Sequence, residues 1–216
     1  FLMEFSHVDS ETGLPVYLDR QGNETFEYDN NERQYVGDGL PDFVGGMTNT
    51  FRYKRWDLRA LATFSYGAKI FDSSSKRQLG VVSGWNMRTE ILDRWRQPGD
   101  ESTFPRLTLD ETTYGLPSGF PWWNTSLFVF DASYLRLRNL TVGYTIPTIG
   151  QGPHAIQDLR INLSVTNLFT LTNFPGLDPE VVRDFENAQD RNMSPNVTYL
   201  TPPQERAFTL GVNLQF

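Results

Sequence analysis

Cysteine is absent from the 216-residue chain, which excludes a disulfide scaffold and a thiolate metal site. Histidine is scarce. His7 and His154 are the only two, and neither has partners at metal-ligand spacing. No zinc spacing, phosphate-binding loop or nucleophile elbow occurs, so the sequence points to no catalytic residue, metal or other cofactor. No apolar run approaches the roughly 18 residues that a membrane-spanning helix requires. No cluster of lysine and arginine stands out, and the formal net charge is −7, which argues against a nucleic-acid partner. The opening Phe1-Leu-Met-Glu-Phe-Ser6 has no basic n-region, no long apolar stretch and no cleavage site. Either a signal was removed or the chain is a piece of something longer.

What is present is alternation. The hydrophobic fraction is only 38%, but a barrel strand shows lipid just every second residue, so such a chain can still span a membrane. Met47, Asn49, Phe51 and Tyr53 fall on one face of a strand over about 45–55, with Thr48, Thr50, Arg52 and Lys54 on the other. A tight turn at Lys54-Arg-Trp-Asp57 leads into a second strand over about 58–71. Its apolar row is Leu58, Ala60, Ala62, Phe64, Tyr66, Ala68 and Ile70. Further strands are read over about 132–146, 159–171 and 205–216. Leu135 and Leu137 are out of phase with Leu140, Val142, Tyr144 and Ile146, which calls for a bulge near Arg138-Asn139. These strands reach or exceed the roughly 9–11 residues that a tilted spanning strand needs, whereas soluble strands peak at about 5–6.

Between the strands lie short turns on one side and long connections on the other, about 72–125 and 172–204. That asymmetry is a mark of outer-membrane barrels. A β-sandwich predicts shorter, more even strands. Residues 1–40 are polar and turn-rich and read as surface loop with short strands. Asn86 is placed to cap a short helix carrying Ile91, Leu92 and Trp95 on one face. The acidic pairs Asp9/Glu11, Asp178/Glu180 and Asp184/Glu186 read as solvated surface of an acidic chain rather than acid–base machinery. The last stretch, Thr209-Leu-Gly-Val-Asn-Leu-Gln-Phe216, alternates cleanly and ends on an aromatic residue. Thr209, Gly211, Leu214 and Phe216 look like the closing-strand signal that outer-membrane barrels present to the barrel-assembly machinery.

Asp131-Ala-Ser-Tyr-Leu-Arg-Leu-Arg-Asn-Leu-Thr-Val-Gly-Tyr-Thr-Ile-Pro147 closely resembles a segment of the SusC/RagA-type TonB-dependent transporters of Bacteroidota. So do Leu159-Arg-Ile-Asn-Leu-Ser-Val-Thr-Asn-Leu-Phe-Thr-Leu-Thr172 with Gly176-Leu-Asp-Pro-Glu-Val181, the hairpin from Pro41 to Leu58, and Leu92-Asp-Arg-Trp95 with Phe104-Pro-Arg106. Order and spacing agree from about residue 13 to residue 216. The resemblance implies an all-β fold: the C-terminal strands and long extracellular loops of a transmembrane antiparallel barrel, with 22 strands in the family, incomplete in this chain. It implies an outer-membrane location with the loops facing the cell exterior, and import of oligosaccharides or peptides. The implied partners are the remainder of the barrel and its plug, a SusD-like surface lipoprotein, TonB acting through the missing N-terminal part, the assembly machinery, and lipid with lipopolysaccharide. The stretch from Asp19 to Arg33 departs from the family's usual pattern, so no metal site is carried over.

An enzyme is the least favoured reading. The alternatives are a barrel subunit with a structural or assembly role in a larger envelope complex, and a soluble carbohydrate-binding sandwich. The candidate ligand contacts are the loop aromatics Trp85, Trp95, Trp122 and Trp123. A stacking platform and a local loop core are both open for them, with the core favoured. Inward polar residues, among them Arg59, Thr63, Ser65, Arg160, Asn162 and Ser164, would line a lumen.

Overall fold

The computed structural model describes residues 1–80, 86–107, 124–150, 156–181 and 196–215. In chain order its strands are β1 (Glu4–Val8), β2 (Pro15–Leu18), β3 (Glu24–Thr25), β4 (Phe43–Tyr53), β5 (Trp56–Tyr66), β6 (Lys69–Asp72), β7 (Val129–Asp131), β8 (Tyr134–Ile149), β9 (Ile156–Thr172), β10 (Val197–Thr198) and β11 (Ala207–Gln215). One helix, α1 (Ser73–Gly80), follows β6. The chain divides into two compact units, one from 1–39, 69–130 and 182–201, the other from 40–68, 131–181 and 202–216.

The second unit is a single antiparallel sheet in the order β11-β9-β8-β5-β4. β4 and β5 have 11 residues each, β8 has 16 and β9 has 17. The β4–β5 hairpin is tighter than the sequence suggests. Tyr53 pairs with Trp56, which leaves Lys54 and Arg55 alone in the turn, and Lys54 takes φ +55°. Trp56 and Asp57, expected in the turn, already belong to β5 because they continue its alternation. At the other end β5 stops at Tyr66, short of the predicted 71. Gly67 turns the chain at φ +94°, its amide donates to Ser133 Oγ at 3.0 Å, and β6 joins a different sheet with β7 and β10.

The first unit corrects the reading of residues 1–40 as surface. Met3 and Tyr17 are fully buried, and with Tyr28, Leu79, Ile91, Phe104 and Phe128 they form one apolar core. Tyr17 meets Tyr28 edge-on at 5.6 Å, the arrangement that ring quadrupoles favour. β1, β2 and β3 form a small sheet over this core. The segment after residue 72 is also less irregular than expected. Asp72 is buried and caps α1, its Oδ1 accepting from the Ser74 and Ser75 amides at 3.0 and 3.1 Å. The helix predicted after Asn86 is only a 3-10 turn, Thr89–Asp93. It is entered from Arg88 without a side-chain cap, and it buries Ile91 while leaving Leu92 exposed.

Because Phe128 is 1% exposed at the centre of this core, Phe128→Ala should cost about 3–5 kcal/mol of local stability. Native-state hydrogen exchange at the amides of Tyr17 and Phe104 checks it. Unchanged protection would show that the core does not depend on this ring.

Candidate functional site

The five-stranded sheet has two chemically opposite faces, and its register builds both. One row runs Phe51, Leu58, Val142, Leu163, Leu210 across all five strands, and the next runs Tyr53, Trp56, Tyr144, Ile161, Val212. These side chains are mostly exposed, with Tyr53 and Leu210 both at 70%. A soluble sheet would cover such a face against a second layer, whereas a membrane-facing sheet presents it to lipid. The alternate rows are polar: Arg59, Thr141, Ser164, Thr209 in one, and Asp57, Gly143, Asn162, Gly211 in another.

On this polar face Arg160 of β9 reaches over β8 to Asp57 of β5, Nη2 to Oδ2 at 2.6 Å. Gly143 makes the reach possible. A Cβ there would lie 2.5 Å from Arg160 Nη2 and 2.6 Å from Asp57 Oδ1. Beside this pair, Asn139, Thr141 and Ser164 share hydrogen bonds of 2.9 to 3.2 Å.

The densest chemistry sits at the bulge. Between the paired sets Leu61/Asn139/Thr166 and Ala62/Leu137/Phe169, β5 has no extra residue, β8 has Arg138, and β9 has Asn167 and Leu168. The bulge read from the phase change is therefore at Arg138, and it widens from strand to strand. Asn167 accommodates it at φ +51°, a conformation that asparagine tolerates better than most residues. Arg136, 2% exposed, donates to Asp178 Oδ1 at 2.5 Å and lies 3.1 Å from Glu180 Oε2. Arg138 is paired with Glu180 through Nη2, donates to Gln204 Oε1 at 2.7 Å and to Thr63 Oγ1 at 3.2 Å. Gln204 closes the ring, its side-chain amide donating to Glu180 Oε2 at 3.1 Å and its backbone amide to Asp178 Oδ2 at 3.1 Å. Asn167 donates to the Glu205 carbonyl at 3.0 Å.

Two arginines, two carboxylates and two amides thus hold both roots of the connection between β9 and β11 against the sheet. The sequence reading of Asp178 and Glu180 as solvated surface is wrong: Asp178 is 7% exposed and spoken for on both oxygens. The arginines that bind them lie some 42 residues upstream, a separation that no local pattern reveals. Burial pushes the Asp178 carboxyl up, but the hydrogen bond from Arg136 and those from the Glu180 and Gln204 amides outweigh it. The group is held below its ordinary value of 3.8.

Trp95 is half-buried in the first unit. Its indole N–H donates to the Ser10 carbonyl at 2.7 Å, and the ring lies flush against Gly13, whose φ is +69°. That is the setting of a local core. Thr209 and Gly211 lie on the polar face of β11, opposite Ser164 and Asn162, and Leu214 lies on the apolar face opposite Leu159. Trp85, Trp122, Trp123 and Phe216 lie outside the described residues. Among the described residues no group of three or more His, Cys, Asp or Glu is placed to hold a metal ion.

No protein-family model matches the sequence. The TonB-dependent receptor P3 of Formosa agariphila is 32% identical over 208 residues, covering 96% of this chain and 19% of that protein. The TonB-dependent receptor SusC of Bacteroides thetaiotaomicron is 25% identical over 221 residues, covering 98% of the chain and 19% of its own length. Among solved structures, the RagAB peptide transporter matches the whole chain with a TM-score of 0.81 at 22% identity, over 22% of the matched chain. The RagAB peptide importer in its open-open state matches with a TM-score of 0.76, again at 22% identity and over 22% of its length. These likenesses to solved structures are likenesses of fold. The chain spans about a fifth of the length of the relatives it matches.

Two outcomes follow from the site. A carboxyl with a depressed folded value stabilises its contacts above the unfolded value and loses that contribution as pH falls through the folded one. The Gln204 and Glu180 amides should therefore lose exchange protection at acid pH below about 4, and Asp178→Asn should show the same loss at pH 7. Removing one partner of a buried pair costs roughly 3–5 kcal/mol, so protection that survives both changes would show that the ring does not hold the loop. Separately, Trp95→Ala should lower the local stability of the first unit by about 3–5 kcal/mol, read by exchange at the Leu14 and Arg106 amides. Full protection there would favour a free aromatic platform over a core residue.

Proposed function

We propose, taking as premise the homology of this chain over nearly its whole length to the TonB-dependent receptors of the SusC and RagA type, that it forms part of the barrel wall of an outer-membrane nutrient importer. The receptors it resembles are not enzymes, and nothing in the mechanism makes or breaks a bond. The observation that carries the reading is the two-faced sheet. Its apolar rows are mostly exposed, its polar rows are cross-linked by charge and hydrogen bonds, and among the described residues its edge strands β4 and β11 each have one paired neighbour. Unpaired strand edges cannot persist in lipid. Further strands from the rest of the receptor would pair with both edges and close the wall, with the polar face lining the lumen.

The imported class is oligosaccharides or peptides, and the matched importer named for peptides supports the second as much as SusC homology supports the pairing with a SusD-like lipoprotein. The lipoprotein would sit over the long loops, on the cell exterior, and capture ligand with them. TonB would pull on a plug outside these 216 residues. The loop roots at Asp178, Glu180 and Gln204 would give the vestibule a fixed base. Thr209, Gly211, Leu214 and Phe216 would serve as the signal that the barrel-assembly machinery reads, with β11 as the closing strand.

The test is the intact mass of the native polypeptide that carries this sequence, purified from outer membrane in detergent with whatever copurifies. A mass about five times that of these 216 residues, consistent with the 19% coverage of its relatives, with a lipoprotein attached, is expected. A polypeptide of 216 residues alone, held inside a larger assembly, would overturn transport by a single receptor chain and favour a structural subunit.

A further inference from the structure

The charge ring at the bulge is complete: each cation in it meets a carboxylate. The opposite end of the same polar face is not balanced. Where β4 turns into β5, a depression of about 360 Å³ is lined by Arg52, Lys54, Arg55, Asp57, Thr145 and Arg160, among others. Four cations face one carboxylate, and Asp57 is already engaged by Arg160 at 2.6 Å. Arg52 and Arg55 have no carboxylate partner among the described residues. The Lys54 ammonium rests 5.3 Å from the centre of the Tyr53 ring, which stabilises the cation without neutralising it. Asp158, two positions before Arg160 on β9, is not part of the lining. In a chain of net charge −7, this concentration of unpaired positive charge is a local reversal.

We propose that this depression is a docking site for an acidic polypeptide segment from outside these residues. The inference rests on the barrel reading, in which the polar face looks inward. Guanidinium groups bind carboxylates through paired hydrogen bonds, and Arg52 and Arg55 are the two available forks. The depression is about ten times the roughly 30 Å³ that one water occupies in the liquid, so it admits several side chains rather than a single small ion. A lipid phosphate is the less suited occupant. Arg52, Asp57, Thr145 and Arg160 alternate with Phe51, Leu58, Tyr144 and Ile161, and of the lining only Trp56 belongs to an apolar row, so most of the depression faces away from where acyl chains would lie.

The test uses the full-length receptor in outer membranes, with a photoreactive amino acid at Thr145. Irradiation should give one dominant adduct, and mass spectrometry should identify it as a peptide rich in Asp or Glu. Arg52→Glu with Arg55→Glu should cut its yield at least tenfold, while Arg52→Lys with Arg55→Lys, which keeps the charge but loses the paired hydrogen bonds, should cut it less. An adduct with phospholipid or lipopolysaccharide, an adduct with a neutral or basic peptide, no adduct, or a yield that ignores charge reversal would each overturn the proposal. Heat-modifiable gel mobility, the sign of a folded barrel, is read on every sample. Its absence from the unsubstituted receptor would fault the barrel reading itself, and its presence alongside a failed cross-link faults only the docking site.

Discussion

The register of the five-stranded sheet governs the rest of the molecule. A strand has a side-chain period of two, so a slip of one residue would exchange its apolar and polar faces. Here four pairings must agree at once for Phe51, Leu58, Val142, Leu163 and Leu210 to share a row. The bulge is the device that keeps them in agreement. β8 changes phase at Arg138 and β9 takes up two residues, so the rows above the bulge, such as Met47, Ala62, Leu137 and Phe169, stay on the apolar side. Bulges also disrupt the ladder locally. The groups placed at this one, Arg138, Asn167 and Gln204, are those best able to supply replacement hydrogen bonds.

Charge on the polar face is handled in two ways. At the bulge, Arg136 is buried and surrounded, a setting where desolvation is costly and an unpaired charge is not tolerated. Two carboxylates and the amide of Gln204 compensate it and its neighbour. Farther along, Arg160 and Asp57 bridge across β8 over a glycine, with both side chains partly exposed. Pairs of that kind contribute little to stability. Their effect is on shape: they lay a long side chain flat along the wall and leave its neighbours Arg52 and Arg55 without a carboxylate partner among the described residues.

Much of this was legible in the sequence, and the parts that were not share a cause. Strict alternation announced the long strands, and the phase change between Leu137 and Leu140 announced the bulge, because both are local consequences of a two-residue period. The turn at Lys54 and Arg55 was misjudged by two residues, since Trp56 reads equally well as a turn aromatic and as the first strand position. The core around Met3, Tyr17 and Phe128 was missed. Its members are scattered from residue 3 to residue 128 among polar residues, and only tertiary packing collects them. Asp178 and Glu180 were misread for the same reason, because their arginine partners lie on another strand.

Both roots of the connection from β9 to β11 meet at one place. Gln204 is within hydrogen-bond distance of Asp178 and of Glu180, so whatever runs between them leaves and returns through the same door. Closing a loop whose ends are already pinned depends only weakly on its length, about 0.6 kcal/mol for each doubling. Outside Val197 and Thr198, which pair with β6, the intervening residues can therefore be lengthened, shortened or replaced while the wall beneath them keeps its register. A descendant of this chain could rewrite the rest of that connection alone, with the arginine clamp kept as the socket into which each new segment is plugged.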